Sequence, residues 1–170
     1  MKIKKIDLMT VGPLLVPVVD SAHYDRIAEE LGIDLRPYDS FDEEFKDYLN
    51  VLCEDLTIRL TLDKGGVIYV KIKKGFTFDF ASVPEFLRGR FPSNDSKMIV
   101  PALVHDALFD CSIFSFERSN KFFYQLMRIY GNGWWRSKIY YWAVCTDIAR
   151  KRFELPRVGP KFAFIDWRSK

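Results

Sequence analysis

Leu56-Thr-Ile-Arg-Leu-Thr-Leu62, Asp63-Lys-Gly-Gly66 and Val67-Ile-Tyr-Val-Lys-Ile72 follow one another without a break. In the first segment Leu56, Ile58, Leu60 and Leu62 alternate with Thr57, Arg59 and Thr61. A period of two places the aliphatic set on one face of a half-buried strand. Asp63-Lys-Gly-Gly66 reads as a hairpin turn. The return segment sets Ile68, Val70 and Ile72 against Tyr69, Lys71 and Lys73. The stretch therefore predicts a β-hairpin over 55–73.

Toward the N-terminus, Leu8–Val19 is apolar but carries Gly12, Pro13 and Pro17, as expected of an extended arm or edge strand. Ser21–Leu31 predicts a helix ended by Gly32. Ser40, with Glu43 three residues on, predicts a second helix running through Asn50 or Val51. Toward the C-terminus, Ser82-Val-Pro-Glu85 is another capping-box pattern, with Pro84 in a first turn. Ser96–Phe109 is apolar nearly all round, predicting a buried central helix bent or begun at Pro101. Ser115–Tyr130 is amphipathic, with Phe116, Phe123, Leu126 and Met127 inward, and stops at Gly131. Trp134–Phe153 reads as one long aromatic helix with Arg150, Lys151 and Arg152 in its last turn; Trp134, Trp135, Tyr140, Tyr141 and Trp142 suit packing on several sides, with a membrane interface or a partner's anchor surface as the alternatives. Pro156, Gly159 and Pro160 mark an irregular tail. The expected fold is α+β. A small antiparallel sheet, the hairpin plus the N-terminal arm, packs against a helical C-terminal half around helix 96–109.

With 170 residues, 48% apolar and 16% aromatic, the chain suits one well-packed domain over 1–170. Within it, 20–51 is an acidic helical region and 134–170 a basic aromatic helix and tail. Residues 20–55 hold twelve acids and three bases, a balance of −9; residues 136–170 hold nine bases and three acids, +6. That polarity can steer an acidic partner or join the two ends of one chain. No nucleic-acid-binding motif accompanies it. The charged start MKIKKID has no signal-peptide core behind it, and the longest apolar runs are far too short to cross a membrane. Cys53, Cys111 and Cys145 form no CxxC pair, which fits three reduced, buried thiols in a cytosolic product.

Chemistry concentrates between Gly75 and Phe109. Asp79, Ser82, His105 and Asp106 are polar groups in apolar text, and burying them unpartnered costs several kcal/mol. Successive helical side chains point about 100° apart, so His105 and Asp106 are expected to address different neighbours rather than each other. Asp79 is the expected partner of His105, holding its tautomer. Ser82 is then a nucleophile or substrate contact, or simply the N-cap of its own helix. Asp79 can equally serve backbone N–H groups of the Phe80–Val83 turn, and His105 can be a structural staple of the core.

The order Gly75-Phe76-x-x-Asp79-x-Ala81-Ser82-x-Pro84, a spacer, then Val104-His105-Asp106-x-Leu108-Phe109 and a Phe-rich helix resembles domain-of-unknown-function family 1353. The resemblance covers roughly Leu56–Gly131. It implies a bacteriophage or prophage origin and brings no established activity. That family carries an acid in the next helix, where this chain has Ser119-Asn120-Lys121-Phe122-Phe123; Asn120 supplies no charge to a three-carboxylate metal site. A narrower likeness joins the His-Asp helix to secreted phospholipases A2. It implies His105 as water-activating base and Asp106, with Asp79, as ligands of a divalent cation. Their glycine-rich calcium loop and disulfides are missing here, so no cofactor is the plainer expectation. Three functions stay open: a virion or tail-associated accessory protein, a hydrolase using His105 as general base, and an effector that binds a host protein. Each but the second implies a protein partner, and all imply synthesis in the cytoplasm of a bacterial host.

Overall fold

The computed structural model describes residues 1–9, 15–17, 21–32, 50–78, 96–154 and 163–168. A four-stranded antiparallel sheet runs in the order β1 (Ile3–Leu8), β4 (Leu56–Leu62), β5 (Val67–Ile72), β7 (Ala163–Arg168). The hairpin pairs Leu56 with Ile72 and Thr61 with Val67, and Gly65 turns it at φ +86°. Every second β4 residue is buried, as the alternation requires. A smaller sheet joins β2 (Leu15–Pro17), β3 (Asn50–Leu52) and β6 (Thr77–Phe78). The fold is α+β, as expected.

Helix α1 spans Ser21–Leu31 and ends at Gly32, φ +60°. Helix α2 (Ser96–Cys111) is the central one: eleven of its sixteen residues are buried, and it packs on β5, β6 and β7. It begins at Ser96 and takes Pro101 into its interior. A proline there leaves the carbonyl four residues back without its usual donor. That carbonyl is Lys97 O, and Asn132 Nδ2 donates to it at 2.9 Å. Asn132 is held in place by the end of helix α3 (Phe116–Ile129), where Gly131 N bonds Arg128 O and Asn132 N bonds Met127 O. With Gly131 at φ +79°, this is a Schellman motif. Ser115 caps the other end, accepting from Arg118 N, and the four inward residues expected of this helix are all buried.

The structure adds one strand and corrects several expectations. Residues 3–8 form a strand, which a charged start concealed: Ile3 and Ile6 lie three apart, and a bulge between Ile3 and Lys5 absorbs the extra residue. Asn50–Leu52 is a strand rather than a helix end; buried at all three positions, it shows no alternation. The C-terminal tail closes the sheet as β7, pairing Ile72 with Ala163 through Val67 with Arg168. The aromatic helix is two helices, α4 (Trp134–Val144) and α5 (Asp147–Glu154), because Thr146 Oγ1 accepts from Ala149 N and starts a new one. Helix α4 is packed on one side only: Ser137, Tyr140 and Val144 are buried, whereas Trp134, Trp135 and Trp142 are exposed. Of the cysteines, Cys111 is buried, Cys53 is partly so and Cys145 is exposed; none forms a disulfide.

The main core lies between the β4–β5 face and α2, with Phe122 and Leu126 of α3. A second cluster, Met98, Phe123, Met127, Tyr140 and Val144, joins the start of α2 to α3 and α4. The candidate site stands beside this second cluster.

Candidate functional site

His105 lies in the middle of α2, 4% exposed. Its ring is sandwiched between Phe109, at 4.2 Å between centroids, and Phe123 of α3, at 4.7 Å. An imidazole enclosed in this way must find partners for both nitrogens within the protein. Nε2 meets Asn120 Oδ1 at 2.8 Å, and Asn120 is fully buried. Asn120 Nδ2 in turn donates to Val144 O at 3.2 Å and contacts Cys145 Sγ at 3.5 Å. A carbonyl only accepts, so it orients the Asn120 amide with Oδ1 toward His105, and Nε2 is the donor in that bond. The chain His105–Asn120–Val144 thus links α2, α3 and the end of α4.

The other ring nitrogen, Nδ1, lies 3.3 Å from Asp106 Oδ1. The expectation that these neighbours do not bond each other is overturned. Backbone directions 100° apart constrain Cβ positions, but Asp106 has one more rotatable bond before its carboxylate, enough to fold back on Nδ1. Asp106 is the more open of the two, with about a quarter of its side chain exposed (24%). With the proton on Nε2, Nδ1 and the Asp106 carboxylate are both acceptors, and their contact becomes a hydrogen bond when the ring is protonated on both nitrogens. Asp79 and Ser82 lie outside the described residues. Asn120 is the member of the site that the sequence marked only as a missing acid; the signal available was an amide in a Phe-rich helix, facing an apolar helix with a histidine.

Cys145 adjoins this network. The residue is exposed, but partial burial of the sulfur pushes the thiol up from its ordinary value, against the opposing effect of hydrogen bonds from Tyr141 and Asn120. It is not primed as a nucleophile. Among the described residues no three His, Cys, Asp or Glu side chains gather as a metal site would require. Asp110, also buried, acts structurally, because its Oδ2 accepts from Ala163 N at 3.2 Å and fastens β7 to α2.

A family model described as "Protein of unknown function (DUF1353)" matches residues 55–144, a span that holds the hairpin, α2, α3 and α4. No curated protein and no solved structure matches the chain.

Proposed function

From the premise that the chain belongs to the DUF1353 family, we propose that it is a bacteriophage-encoded accessory protein, associated with the virion or its tail, that works by binding another protein. In this reading His105, Asp106 and Asn120 form a polar staple inside the helical layer. The observation that carries it is the enclosure of His105 between two phenylalanine rings with Nε2 committed to the buried Asn120 amide. A general base needs access to a substrate proton, directly or through a water. Here Nε2 is committed to a buried amide, and the carboxylate at Nδ1 belongs to the next residue of the same helix. The phage assignment is supported by the Gly75–Pro84 and Val104–Phe109 motifs, whose family resemblance implies that origin. The chain is then made in the cytoplasm of a bacterial host and assembled into the particle.

Mass spectrometry of purified particles tests the reading. The protein is expected among virion components at a fixed ratio to the tail proteins. Its absence from particles, with recovery bound to a host protein, would instead establish an effector. Hydrolysis of an ester or amide substrate abolished by His105→Asn in a protein of unchanged melting temperature would overturn the staple.

A further inference from the structure

Three of the chain's four tryptophans stand on nine consecutive residues of α4, with Trp134 48%, Trp135 69% and Trp142 60% exposed. Large apolar side chains gathered in the open call for an explanation that scattered ones do not. Trp135 and Trp142 are seven apart, two turns of helix, and so share one side. Trp134 packs edge-on against Trp135 with centroids 4.4 Å apart. Ile148 of α5 is 70% exposed, and Ile129 at the end of α3 is 40% exposed. The opposite side of α4 is buried through Ser137, Tyr140 and Val144, so the helix lies flat on the protein and turns its indoles outward.

Charge accompanies these side chains. Residues 116–154 hold eight bases and three acids, a balance of +5 in a chain whose total is +3. Lys138 stands among the rings, 5.3 Å from the centroid of Tyr124, 5.9 Å from Trp134 and 6.0 Å from Tyr141. A cation beside an outward indole, on a basic stretch that also exposes aliphatic side chains, matches the chemistry of an anionic bilayer surface. Indoles settle at the headgroup level, aliphatic groups enter the acyl boundary, and bases meet lipid phosphates. A single-stranded nucleic acid would use the indoles and the bases, but has no use for exposed isoleucines, which offer no face for stacking. No helix among the described residues is long and apolar enough to cross a membrane, so contact would be along the surface.

We propose that the outer side of α4, with Ile148 of α5, docks on an anionic lipid surface. The proposal is independent of the reading of His105. It is tested with the full-length protein, sedimented with vesicles of phosphatidylcholine alone or mixed with phosphatidylglycerol, while tryptophan emission is followed. The protein is expected to sediment with the mixed vesicles, to shift its emission to the blue and to be released by high salt. The exposed-site variant Trp135→Ser/Trp142→Ser is expected to bind at least about tenfold more weakly with an unchanged melting temperature. No sedimentation with the mixed vesicles would overturn the proposal. So would undiminished binding by the double variant, or equal binding to phosphatidylcholine alone. Preferential binding of a thymidine oligonucleotide that displaces the vesicles would assign the face to nucleic acid instead.

Discussion

Asn120 stands where the resemblance led one to expect an acid, and an amide suits its surroundings. A carboxylate there would face Val144 O with no proton to give, at a fully buried position. The amide satisfies an acceptor and a donor at once. Asn120→Ala leaves His105 Nε2 and Val144 O unpartnered, a cost of about 1–3 kcal/mol. At about 2–4 °C for each kcal/mol in a chain of this size, thermal melts resolve the loss. The Nε2 hydrogen of His105 should give a slowly exchanging imidazole signal in NMR spectra. That signal is expected to persist in Asp106→Asn and to vanish in Asn120→Ala; its loss in Asp106→Asn would place the donor on the wrong nitrogen. The Cys145 thiol, pushed up by burial, should be alkylated more slowly than a free thiol near neutral pH. Its labelling rate should rise as alkali generates the thiolate, while Cys111 stays protected until the chain unfolds.

Between elements, the Pro101–Lys97–Asn132 arrangement is the most testable joint. Asn132→Ala strands the carbonyl that Pro101 has already deprived of its helical donor, so it should destabilise by about 1–3 kcal/mol. In a Pro101→Ala background the helix regains that donor, and the same substitution should cost less; a double-mutant cycle measures the difference. Equal costs in both backgrounds would show that Asn132 does not compensate for the proline. The ion pair between Glu117 of α3 and Arg150 of α5, 2.8 Å long, joins two half-exposed side chains. The Glu117 carboxyl is held below its usual range first by its own backbone N–H, then by Arg150 and Ser115. Its stabilisation is present above the unfolded value and disappears as pH falls through the lowered folded one. Because both groups are wet, Glu117→Gln should leave the neutral-pH melt almost unchanged. The hairpin, α1 and α3 were legible in sequence because each has its own period and its own stop, at Gly65, Gly32 and Gly131, whereas α2 showed as an apolar run read to Phe109, two residues short of its end at Cys111. β1 was hidden by a bulge, and β3 by burial at every position. β7 alternates Ala163, Ile165 and Trp167, but Pro156, Gly159 and Pro160 just before it masked a strand that its tertiary partners, β5 and α2, stabilise. The His105–Asp106 contact depends on side-chain torsions, which residue spacing does not encode, and Asn120 as partner depends on how α2 and α3 meet.

For the whole molecule, the sheet draws on both ends of the chain. β1 supplies one edge and β7 the other, and the β4–β5 hairpin sits between them. Asp110 and Ala163 repeat this connection in the helical layer. Truncation before Ala163 uncovers the edge of β5 and leaves a buried carboxylate of α2 without its backbone donor, so the shortened protein should melt earlier and aggregate on heating. Light scattering during the melt would report it, and a truncated chain that stayed monomeric with an unchanged transition would refute the closing role of β7. The same strand sets a schedule for synthesis. Val67 pairs with Arg168, 101 positions further along the chain. A ribosome must therefore release Arg168 before the sheet can be completed. Until then the nascent protein presents an open strand edge, which gives a chaperone something to hold and a neighbouring nascent chain something to capture.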